Sequence, residues 1–205
     1  MSYDQIVLPA TYCADINTLT AHLEAHEERP ATPEAAALAA RIEERCGDIL
    51  SVSPLEAEGD VLAVSVTFRG VEQAREVVHA EARAAGFGVY DPQLGVLFDP
   101  RAALPGRIMT RDGELPTVTP AAVARLVGAL AVDDYLVVTT DDDQVYAQTY
   151  RRSADHFDVE RREGGPERHL GTTVATADEV RALLDAWLRG DTAEVERAPW
   201  ARVGF

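Results

Sequence analysis

The sequence predicts an α+β protein: an N-terminal open α/β sheet with helices packed on it, then a C-terminal antiparallel β-meander flanked by helices. Three observations carry this. Residues 1–100 switch between strand and helix periods in the order β-α-α-β-α-β-β. Residues 135–174 hold four short strand patterns separated only by turns, which implies antiparallel neighbours. Between them lies DPRAALPGRIMTRDGELPT, rich in Pro, Gly and charge, so the domains are read as 1–104 and 105–205.

Each element has its own signal. Residues 3–8 (YDQIVL) read as the first strand. A helix follows from about Asp15 to Glu28, with Ile16, Leu19 and Leu23 at helical spacing and Pro30 beyond its end. Thr32-Pro33 start the second helix as N-cap and first-turn proline; Ala35, Leu38, Ala39, Ile42 and Cys46 form its apolar face. Residues 60–68 (DVLAVSVTF) are apolar on both faces and predict a central strand. The third helix spans Val71 to Ala85, with Gly86 at C′. Residues 87–91 and 94–98 flank Pro92-Gln93 as a hairpin. A short strand is expected at 107–110.

In the second half Thr119 caps a helix with Pro120 at its first position. Val123, Leu126, Val127 and Leu130 form its stripe. The meander strands are 135–140, 144–152, 156–162 and 167–174. Thr176 and Glu179 make a capping box for the last helix, which buries Val180, Leu183, Leu184, Trp187 and Leu188 and stops at Gly190. A short strand around 200–203 closes the domain.

Composition bounds the function. A chain of 205 residues can bury roughly 70% of its unfolded surface, so no disulfide or metal staple is required. The net charge is −16. Residues 1–100 carry 17 acids against 6 arginines, and residues 101–205 carry 18 against 13. Such a field repels nucleic acid and anionic membrane, adds solubility, and attracts a basic protein partner. All basic side chains other than histidine are arginine, which excludes a Schiff-base or P-loop lysine. Cys13 and Cys46 form no metal or redox motif, which fits a reducing compartment, and the opening MSYDQIVLPA lacks the charge pattern of a signal peptide. A cytoplasmic protein without a cofactor is therefore expected. The sequence leaves its oligomeric state open.

Several residues are candidates for chemistry. His22 and His26, at i and i+4 on the first helix, could hold a metal, although Glu24 is misplaced for a zinc-protease motif. Asp155, His156 and Asp158 form a local cluster that reads better as a solvated strand face. His79 reads as exposed, and His169 fits either a core or a surface. Glu160, Arg161, Arg162, Glu163, Glu167 and Arg168 alternate in sign and read as a solvated face with charges paired across strands. Asp141, Asp142 and Asp143 form a hairpin turn. It lacks the spacing of a calcium loop, and this acidic tip could meet a basic partner. Trp187 and Trp200 read as core, with an interface as the alternative for Trp200. No phosphate loop, dinucleotide fingerprint, zinc-protease motif or nucleophile elbow occurs.

MSYDQIVLP, followed by GFGVYDPQ, resembles a family of uncharacterised actinobacterial proteins that open with an MSYDL-like strand and carry a DPQ hairpin. The resemblance covers the first half and implies no chemistry. In the second half a meander is followed by the helix Asp178 to Asp191 and then Ala198-Pro199-Trp200. That arrangement is similar to immunity-protein domains of bacterial toxin–immunity systems, as is Gly165-Pro166-Glu167-Arg168-His169. That resemblance implies a non-enzymatic protein that binds and occludes a toxin domain, and the acidic balance points to a basic one. A metal-dependent or carboxylate-based enzyme and a self-associating module remain the alternatives.

Overall fold

The computed structural model describes residues 2–25 and 29–204. It is α+β, with helices and two antiparallel sheets. The chain forms two compact units, Met1–Ala103 and Leu104–Phe205. No helix among the described residues is long and apolar enough to cross a membrane.

The first unit contains β1 (Tyr3–Pro9), α1 (Ile16–Glu24), α2 (Pro33–Cys46), β2 (Ala57–Glu58), β3 (Val61–Val66), α3 (Val71–Ala85), β4 (Phe87–Asp91) and β5 (Val96–Phe98). The sheet order is β2-β3-β1-β4-β5, and every pairing is antiparallel. Strands β3 and β4 therefore run parallel to each other with β1 between them, and α3 connects them. The central strand is β1; β3 lies one place off centre, and Ala63 on its second face is exposed. The α2 cap forms as the sequence predicts, with Thr32 Oγ1 accepting from Ala35 N at 3.2 Å. Helices α2 and α3 pack together and cover the face bearing Leu62, Val64 and Val66. On the opposite face Leu8, Cys13 and Leu19 form a smaller cluster with Tyr12, Val61 and Tyr90.

A polar network lies under α3. Tyr3 donates a short hydrogen bond to Asp91, and Arg75 donates to the Tyr3 hydroxyl oxygen. Arg75 Nη2 stands 3.9 Å from Asp91 Oδ2, and both side chains are buried. Gln5 is also buried, and neither of its amide atoms is hydrogen-bonded among the described residues. His79, one turn after Arg75, is 4% exposed and sits edge-on to Phe98 at 4.7 Å. This corrects the reading of His79 as an exposed residue. The inner face of α3 is wide enough to include Arg75 and His79, because β1 and β4 present Tyr3 and Asp91 rather than an apolar surface.

The second unit contains β6 (Arg107–Thr110), β7 (Gly113–Leu115), α4 (Pro120–Ala129), β8 (Asp134–Thr139), β9 (Val145–Ser153), β10 (His156–Glu163), β11 (His169–Val174), α5 (Ala177–Leu188), α6 (Thr192–Val195) and β12 (Ala201–Arg202). The sheet order is β12-β11-β10-β9-β8-β6-β7. Helices α4 and α5 pack together over one face, above Leu136, Val138, Ala147, Phe157 and Val159. The capping box of α5 is present: Thr176 Oγ1 accepts from Glu179 N at 3.2 Å, and Glu179 Oε2 accepts from Thr176 N at 2.9 Å. Gly106 is required where the chain enters β6. Its φ is +119°, and a Cβ there would stand 1.9 Å from the Thr139 carbonyl oxygen. Gly106→Ala is expected to cost about 2–4 kcal/mol by forcing β6 off β8. Thermal unfolding checks this, and an unchanged Tm would contradict it.

Candidate functional site

A cleft of about 710 Å³ opens within the second unit, where the β8–β9 turn, the end of β10 and the α5–α6 corner meet. Its walls are mostly apolar: Leu104, Pro105, Val145, Trp187, Leu188 and Val195. Its polar lining includes Asp141, Asp142, Arg161 and Glu163. Its volume is in the usual range for ligand pockets, roughly 300–1,000 Å³.

The local sequence explains each wall. Asp142 builds the β8–β9 turn: its Oδ1 accepts from Gln144 N at 2.9 Å and its carbonyl from Val145 N at 2.8 Å. Asp141 and Asp143 project from that turn, and none of the three aspartates pairs with an arginine among the described residues. Gly190, at φ +67°, ends α5 beside Trp187 and Leu188. Asp191 then caps α6, accepting from Glu194 N at 3.1 Å, and α6 buries Val195. Trp187, read from the sequence as core, is half-buried at the last turn of α5, where it lines the cleft.

Arg161 corrects the reading of residues 160–163 as a solvated face. It points to the helix-covered side of β10 and is 5% exposed. Its Nη1 donates to Glu163 Oε1 at 2.8 Å, and its Nη2 to Glu196. The guanidinium lies 4.9 Å from the Trp200 ring centroid, in cation–π range. Trp200 is half-buried and donates from Nε1 to the Val195 carbonyl at 2.7 Å. The structure therefore brings Asp141, Asp142 and Trp200, each singled out from the sequence, to one end of the unit around Arg161. Trp187 and Arg161 are the members that sequence reasoning missed as site residues.

Other candidates are occupied by structural contacts. His22 Nε2 lies 3.0 Å from Asp60 Oδ1, and its ring stacks on Tyr12 at 3.6 Å. His26 lies outside the described residues. Among those described, no group of three or more His, Cys, Asp or Glu could hold a metal ion. Burial pushes the Cys13 thiol up to about 11 and raises that of Cys46, so neither thiol is an activated nucleophile. On the uncovered sheet face, His156 stands 3.3 Å from Asp158, which Arg152 also engages. His169, left open from the sequence, is buried there: Nε2 lies 2.9 Å from Glu160 Oε2, and Tyr146 packs edge-on. Gln148 also donates to Glu160, at 2.7 Å. The polar groups of that face thus serve one another, whereas no arginine pairs with the acidic lip of the cleft among the described residues. Comparison with protein-family models, curated proteins and solved structures finds no match to this chain.

Proposed function

We propose that this chain is a non-enzymatic, cytoplasmic protein-binding module that recruits a basic protein partner through the second unit, as an immunity protein recruits and occludes a toxin domain. The observation that carries this reading is the aspartate turn Asp141–Asp143, which has no arginine partner among the described residues and places Asp141 and Asp142 at the lip of an apolar cleft. Complementary charge at a lip steers encounter, and desolvated apolar anchors then hold the complex. The net charge of −16 extends that steering beyond the cleft.

Capture tests the reading. With no lysine in the chain, amine coupling fixes it through its amino terminus and leaves the acidic turn free. A basic protein should be retained from native extract at low salt and released at high salt. Substituting Asp141→Asn, Asp142→Asn and Asp143→Asn together keeps the turn's hydrogen-bond acceptors and removes its charge. For the captured partner, the association rate at low salt should fall about three- to tenfold, with little change above the ionic strength that screens a surface field. Equal rates for variant and parent at low salt, or no retained basic protein, would refute the reading.

A further inference from the structure

We propose that the cleft receives one arginine side chain of the partner, together with an apolar neighbour; this rests on the protein-binding reading above. The cleft already shows how it holds a guanidinium. Arg161 lies against the Trp200 ring and spans two carboxylates, Glu163 and Glu196. A second set of the same groups lines the same cleft: the indole of Trp187 and the carboxylates of Asp141 and Asp142. Among the described residues no arginine pairs with either aspartate or stacks on Trp187.

The charge balance selects a cation. The cleft lining carries three carboxylates against one guanidinium, and both terminal nitrogens of that guanidinium are already bonded to carboxylates. Arg161 Nε has no hydrogen-bond partner among the described residues, but it is shut off from solvent, so an incoming anion finds no accessible donor there. Arginine fits better than lysine because its planar, weakly hydrated fork stacks on aromatic rings and pairs bidentately with carboxylates. The apolar walls suit its methylene stem, and about 710 Å³ leaves room for an adjacent apolar side chain.

The chain's two tryptophans both report on this site, Trp187 from the wall and Trp200 through Arg161. The test is intrinsic fluorescence of the full chain titrated with acetyl-Ala-Arg-Leu-amide. Matched peptides carry citrulline, lysine, leucine or glutamate at the centre. The arginine peptide should give a saturable change. Citrulline, of the same shape without the charge, should bind about five- to tenfold more weakly, the loss expected for two partly exposed ion pairs. Asp141→Asn with Asp142→Asn should reduce the arginine peptide to the citrulline level, and Trp187→Leu, read through Trp200, should weaken all of the peptides.

Any of these results would overturn the inference: equal binding of arginine, citrulline and leucine peptides; preference for glutamate; free arginine binding as tightly as the peptide; or no saturable change up to tens of millimolar. A concentration-dependent dimer abolished by Trp187→Leu would overturn it in favour of a second copy of the chain. The two readings separate cleanly. If a captured basic partner ignores Trp187→Leu and competing arginine peptide, the cleft inference falls and the partner reading stands. If the arginine peptide binds as described but no basic partner is retained, the partner reading falls.

Discussion

Replacing Arg75 with methionine is expected to destabilise the first unit by about 3–5 kcal/mol, the cost of leaving a buried charge without its partner. Asp91 is fully buried, and burial raises its carboxyl above the usual range even with Arg75 and the Tyr3 hydroxyl beside it. Without the guanidinium, Asp91 must either carry its charge unpaired or take up a proton. Combining Arg75→Met with Asp91→Asn should therefore cost clearly less than the sum of the two single changes. Urea unfolding of the parent, both single variants and the double variant measures the coupling. Additive losses would show that the 3.9 Å approach of the two charges carries no energy.

The second large effect is a pH dependence centred on His79. Burial is the main cause that lowers this imidazole from its ordinary 6.5 to about 3, with the positive charges of Arg75 and Arg83 adding to it. The folded chain thus refuses a proton that the unfolded chain accepts. Above pH 6.5 both states hold the ring neutral and the residue contributes no slope. Below that value the unfolded state gains a proton, so folding loses roughly 1.4 kcal/mol per pH unit until the folded ring also protonates near 3. His79→Leu fills the site with a side chain that cannot titrate and removes this term. Across pH 7 to 4.5 the unfolding free energy of the parent should fall more steeply than that of the variant, so that the difference between the two changes with pH. Parallel curves would contradict the assignment.

Elements with local signals were legible in the sequence. The α3 boundaries follow from its apolar stripe and Gly86, and the starts of α2, α4 and α5 follow from Thr32-Pro33, Thr119-Pro120 and the Thr176–Glu179 box. The strand at 107–110 was expected, but its hairpin partner β7 was missed although Asp112-Gly113 is a turn signal, because three residues are too few to show alternation. Burial of Arg75 and His79 was illegible for another reason. The Arg75 partner Tyr3 lies 72 residues away and Asp91 lies on a different strand, so no window along the chain contains the network. The acidic turn and Trp200 stood out as residue types. What could not be read is that they converge with Trp187 and Arg161, since the cleft is assembled from Leu104 through Val195 by sheet order and the α5–α6 corner. Periodicity placed Trp187 on the buried stripe of α5, but it cannot tell that this position lines a cleft instead of the core.

The most direct test of the account is to label the chain with 5-fluorotryptophan and record its two fluorine resonances before and after adding a captured basic partner. Trp187 and Trp200 are the chain's only tryptophans, and both report on the cleft. Binding at the cleft predicts that both resonances shift and that Trp187 loses access to solvent. A saturated complex in which neither resonance moves would contradict the account, because the partner would then be held elsewhere on the molecule.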